Sequence, residues 1–153
     1  MLVSCGKDEM FSEYNYFNLD TLYADPDTGI KDSFQLIWEV SIEGFPQFLI
    51  DIYLSDDDIL DTDDLKITET ADTEINTGPE QSYVNGINFR LLPGSGGETR
   101  FEYSHDQIIW YSGPATGEYL SGGKKYLIGR FYHPQGLLIE TGRTRMAVKI
   151  EFQ

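Results

Sequence analysis

The stretch FQLIWEVSIEGFPQFLIDIYLSDDDILDTDDLKI, running from Phe34 to Ile67, decides the fold. Its first part puts Phe34, Leu36, Trp38, Val40 and Ile42 on one side and Gln35, Glu39, Ser41 and Glu43 on the other. After a break at Gly44-Phe45-Pro46, the residues Phe48, Ile50, Ile52 and Leu54 repeat the alternation. Successive side chains of an extended backbone point to opposite faces, so this is the writing of two half-buried strands. They are expected to lie as paired neighbours sharing a core side, with Trp38 inside. The second strand runs straight into six aspartates within the nine positions 56–64.

Outward from this stretch the same pattern recurs. Upstream, Phe17, Leu19, Thr21 and Tyr23 alternate with Asn18, Asp20 and Leu22 in a first strand. Asp25-Pro26-Asp27-Thr28-Gly29 then reads as a turn, in which proline sets φ and glycine supplies a positive φ. Downstream, Leu65 to Thr68 makes a short strand and residues 71–81 read as a polar loop. Ile87, Phe89 and Leu91 mark another strand, Thr99, Phe101 and Tyr103 the next, and Ser104 to Gln107 a turn into Ile108-Ile109-Trp110-Tyr111. Tyr126 to His133 is a strand, and Met146, Val148, Ile150 and Phe152 alternate in the last one. No 3.6-residue period persists, no internal repeat is visible, and turn signals recur at roughly the 8–12-residue spacing of sandwiches. The expectation is all-β: a single immunoglobulin-like antiparallel β-sandwich of about seven to nine strands.

A chain of 153 residues, 40% hydrophobic and 14% aromatic, has the material for one packed core. A single cysteine excludes an intrachain disulfide. The net charge of −15 is lopsided, with −17 over residues 1–80 and +2 over residues 81–153. Nucleic acid is therefore not an expected partner, because phosphate binding relies on clustered Lys and Arg.

Leu2-Val3-Ser4-Cys5 resembles the lipobox of bacterial lipoproteins, in which the cysteine thiol is lipidated. Gly6-Lys7-Asp8-Glu9, directly behind it, resembles the Lys-plus-acid signal that exports lipoproteins to the surface of Bacteroidetes-type bacteria. These resemblances imply a membrane anchor at Cys5, a signal segment upstream of Met1, and a site at the outer membrane or cell surface. Residues 1–13 then form the lipobox and a flexible tether, and residues 14–153 the sandwich domain. Leu120-Ser121-Gly122-Gly123-Lys124-Lys125-Tyr126 resembles the tyrosine corner of fibronectin type III and related sandwiches. That likeness implies a bond from the Tyr126 hydroxyl to backbone near Leu120. Tyr53-Leu54-Ser55 with Asp57, Asp61 and Asp64 is similar to a pattern of CARDB-type modules, which are associated with bacterial surface adhesion.

Three kinds of site are on offer. The aspartate run suits a hard cation, since Ca²⁺ takes six to eight oxygens, and Asp56, Asp58, Asp61 and Asp63 are its candidate ligands. The run lacks the glycine and glutamate of an EF-hand, however. The other reading is a turn whose carboxylates cap backbone N–H groups while Ile59 and Leu60 dip into the core. Calcium is thus the one cofactor the residues suggest. Trp110, Tyr111, Tyr14 and Tyr16 are candidates for stacking on a sugar; against this stands ordinary core or edge packing. On a strand, one of Trp110 and Tyr111 faces outward. Enzyme motifs are missing, and the consecutive Ser104-His105-Asp106 makes no triad. The function expected is a non-catalytic surface module for adhesion, ligand capture or assembly with a protein partner, with carbohydrate binding as the alternative.

Overall fold

The computed structural model describes residues 16–43, 47–68, 74–76, 81–93, 99–115, 124–132, 140–141 and 143–153. Among them lie eleven strands: β1 (Tyr16–Asp25), β2 (Ser33–Glu43), β3 (Gln47–Ser55), β4 (Leu65–Lys66), β5 (Glu74–Asn76), β6 (Gln81–Pro93), β7 (Thr99–Ser104), β8 (Tyr111–Ala115), β9 (Lys124–Tyr132), β10 (Glu140–Thr141) and β11 (Arg145–Glu151). Three of these are only two or three residues long, which leaves eight of substance. They form two sheets packed as a sandwich, one in the order β10-β1-β2-β6-β7-β8, the other β11-β9-β3-β4 with β5 also paired to β3. Pairing is antiparallel except for the two-residue β1–β10 contact and the Ile30–Phe152 bridge.

The expected neighbours, β2 and β3, are not paired. β2 bonds to β1 and β6, whereas β3 bonds to β9, in the other sheet. Alternation says which side of a strand is apolar and nothing about which strand supplies its hydrogen bonds. Two consecutive apolar faces can be buried side by side or face to face, and here they meet face to face. Trp38, 1% exposed, meets Phe131 of β9 edge-on at 5.5 Å, and Phe17 of β1 packs on the same ring at 5.3 Å. Leu36, Val40, Ile50, Ile52, Leu54, Ile150 and Phe152 are buried as expected, and Met146 and Val148 pack partly buried against them. The side chains of Ile42 and Phe48 lie outside the described residues.

β1 departs from a plain alternation. Phe17 and Leu19 are buried, but further on it is Leu22 and Ala24 that are buried, while Thr21 and Tyr23 face solvent. The register shifts between Leu19 and Thr21, a β-bulge at Asp20. One extra residue moves the rest of the strand to the opposite phase. Elsewhere β5 occupies three positions of the stretch read as a loop, and β6 begins six residues before Ile87. Gly29 has φ +64°, as its turn requires.

The two sheets meet at one side through β8. Ile67, just beyond β4, is bonded to the Ile52 carbonyl at 2.8 Å. A Cβ on Gly113 of β8 would stand 2.3 Å from the Ile67 carbonyl oxygen, so only glycine allows this approach.

Candidate functional site

β7 ends at Ser104, whose side chain is fully buried. Its hydroxyl accepts hydrogen bonds from the backbone N–H of Gln107 at 2.8 Å and of Asp106 at 3.2 Å, and donates to the Asp106 carboxylate at 3.1 Å. That carboxylate accepts from the N–H of Ile108 at 2.9 Å and of Ile109 at 3.0 Å. Hydrogen bonds from Ile109, then Ile108, hold the Asp106 carboxyl below its ordinary value of 3.8. Ser104 and Asp106 are thus engaged in building the turn expected over Ser104 to Gln107.

The turn places Gln107 at φ 64° and brings Trp110 onto the outer face of the six-stranded sheet. There the Arg90 guanidinium lies 4.0 Å from the centre of the indole, a cation–π contact. Glu102 fixes that guanidinium, accepting from Nε at 2.7 Å and lying 2.6 Å from Nη2. Tyr111 turns the other way and packs on Tyr103 at 5.7 Å, so Trp110 is the outward member of the pair.

Beside the indole is a cleft of about 290 Å³, with Gln35, Asn88, Arg90, Gln107 and the Asp25-Pro26 turn among its lining residues. Asn88 is its polar centre, only 8% exposed. Its Oδ1 accepts from Gln35 Nε2 at 2.8 Å and Gln107 Nε2 at 3.0 Å, while its Nδ2 donates to the Ser104 carbonyl at 3.1 Å. Both glutamines are thereby held in fixed orientations. The result is an aromatic face next to oriented amides and an ion pair, in a space near the lower end of the usual range for small-molecule sites. Of these residues only Trp110 was a candidate from the sequence. Gln35, Asn88 and Arg90 show there merely as polar positions in alternating strands, and only the register that sets Gln35 opposite Asn88 and Ser33 opposite Arg90 gathers them.

The aspartate run behaves differently. Asp57 accepts from the N–H of Ile59 at 2.9 Å and from the Ser55 hydroxyl at 3.4 Å. Asp61 accepts from the N–H of Asp63 at 2.9 Å, and Asp64 accepts from that of Asp61 at 2.9 Å. Asp56 pairs with Lys125. Among the described residues no three or more His, Cys, Asp or Glu side chains are grouped to hold a metal ion, so Asp56, Asp58, Asp61 and Asp63 are not drawn together. The cause is local. Ile59 is 65% exposed and Leu60 is half-buried, so neither pulls the flanking carboxylates toward a common centre as a buried pair would.

Cys5 and Tyr14 lie outside the described residues, as do the side chain of Tyr16 and the segment near Leu120 to which Tyr126 was expected to bond. Comparison with models of known protein families and with curated protein sequences gives no match.

Proposed function

We propose that this chain is a non-catalytic binding module of a lipid-anchored bacterial surface protein, and that it captures a carbohydrate in the Trp110 cleft. The carrying observation is the outward indole beside the Gln35–Asn88–Gln107 amide cluster. An indole face packs against the C–H face of a sugar ring, and oriented amides and charged groups select its hydroxyls. A cleft of about 290 Å³ suits one sugar unit. The anchor is the reading of Leu2 to Cys5, and it keeps the module where extracellular glycans are met.

The test is a glycan array with the purified chain, followed by calorimetric titration of the sugars retained. Trp110→Ala is expected to weaken binding roughly tenfold or more while leaving the fold intact, since the indole lies on the outer face. Unchanged affinity in that variant would overturn the reading. Anchoring is tested separately in cells: the wild type gains lipid mass and fractionates with membrane, and Cys5→Ala does neither.

A second reading, docking of a protein partner, is favoured by the exposed isoleucines Ile59, Ile108 and Ile109 on the two turns. Under that reading Ile108→Ser abolishes association and Trp110→Ala does not.

A further inference from the structure

A different cleft lies toward the other sheet. It measures about 410 Å³ and is lined by Arg130, Arg143, Thr144 and Arg145. The chain has only five arginines and a net charge of −15, so three of them in one cleft is a strong local reversal of sign. Arg130 of β9 and Arg145 of β11 are direct cross-strand partners. Like charges set opposite one another destabilise a sheet pair unless something neutralises them. Among the described residues none of the three forms a salt bridge. The nearby carboxylates have other duties. Asp51, the partner of Arg130 on its other side, lies 3.3 Å from Lys66 Nζ and accepts from the Tyr132 hydroxyl at 3.4 Å. The Asp20 carboxylate accepts from Ser41 at 2.6 Å and from Asn18.

Arg143 is held in place from one edge. Its Nε donates to the Leu19 carbonyl at 2.9 Å and its Nη2 to the Asp20 carbonyl at 3.3 Å, at the bulge of β1. Its own backbone is tied by Asn18 at 2.8 Å, and the Thr144 carbonyl by the N–H of Phe131 at 2.8 Å. A guanidinium has five N–H donors, so three remain on a group already immobilised. Immobilised, planar donors lose little entropy when they bind an oxyanion in the two-pronged manner that arginine favours.

We propose that the Arg130–Arg143–Arg145 cleft binds the oxyanion group of a small ligand: a phosphate, a sulfate or a carboxylate. A long polyanion is not the occupant, because the rest of the surface is strongly acidic and repels it. The site is separate from the Trp110 cleft and does not depend on the carbohydrate reading.

The experiment titrates the full chain with inorganic phosphate, inorganic sulfate and glucuronate, each against chloride at equal ionic strength. Binding is read by calorimetry and by the Nε–H resonances of the arginines, and melting temperature is read in parallel. Saturable binding of at least one probe is expected, with a rise in melting temperature that chloride does not give. The probe that binds best identifies which oxyanion the cleft takes. Arg145→Ala should weaken binding roughly tenfold or more, the worth of a hydrogen bond to a charged group. Arg145→Glu should abolish binding and, by giving Arg130 an opposite charge, raise the melting temperature in anion-free buffer. Trp110→Ala should leave all of these titrations unchanged. Failure of every probe to saturate, or equal binding by wild type and Arg145→Glu, would overturn the proposal.

Discussion

Two turns of this molecule are built from nearly the same six residues and do different work. Ser55-Asp56-Asp57-Asp58-Ile59-Leu60 follows β3, and Ser104-His105-Asp106-Gln107-Ile108-Ile109 follows β7. In each, a buried serine ends the strand, an aspartate two positions on exchanges hydrogen bonds with it, and an isoleucine four positions on is exposed. In the first, the aspartate takes one backbone N–H beyond itself; in the second it takes two, and the serine takes a second as well. The tighter second turn brings Trp110 against Arg90 and builds a cleft, whereas the first leads on through Asp61 and Asp64 to β4. A shared local code sets a shared shape, and what that shape delivers depends on the sheet face beneath it.

The largest expected effect lies where the strands beyond the two turns meet. Gly113→Ala sets a methyl group against the Ile67 carbonyl, with backbone on both sides, so about 1–3 kcal/mol of stability should be lost. Urea unfolding measures this as a lower midpoint at constant slope. A midpoint equal to wild type would mean that the two edges are not in close contact.

The two serines come next. Ser104→Ala leaves the N–H groups of Asp106 and Gln107 without their acceptor and should cost about 1–3 kcal/mol. Ser55→Ala removes the acceptor of one N–H and should cost about 0.5–1.5 kcal/mol. Equal losses by chemical denaturation would remove the distinction between the turns.

Acidification should act on the second turn. The folded Asp106 carboxyl titrates below its ordinary value of 3.8 because it accepts the N–H groups of Ile109 and Ile108. Its contribution is therefore present above that value and disappears as pH falls through the lower folded one. A proton titration followed by NMR should find the Asp106 midpoint moved upward in Ser104→Ala, which removes one of its donors. The smallest effect concerns the first turn. Melting temperatures in calcium and in chelator should coincide, since Asp57, Asp61 and Asp64 already serve backbone N–H groups and Asp56 pairs with Lys125. A calcium-dependent rise that is lost in Asp58→Asn/Asp61→Asn would instead give the aspartate run a cation.

Much of the fold was legible because side-chain period is a local property of an extended backbone. The buried faces of β2, β3, β7 and β11 could be read directly, as could the turn at Gly29 and the outward placement of one of Trp110 and Tyr111. The bulge at Asp20 was not legible, since nothing in Phe17 to Tyr23 marks an inserted residue. Its supports, Ser41 and Arg143, come from distant parts of the chain. β10 was missed for a related reason: two residues are too few to show a period.

By itself, the sequence determined that the chain is all-β, which residues of β2, β3, β7 and β11 face the core, and that aspartates after a strand can cap their own backbone. These depend on interactions within a few residues. Only the tertiary structure decided that β2 and β3 lie in opposite sheets, that Gln35, Asn88 and Gln107 share hydrogen bonds beneath Trp110, and that three arginines line one cleft. The backbone groups that pair strands are the same for nearly every residue. Partner and register are therefore chosen by how the whole core packs, and each surface cluster follows from that choice.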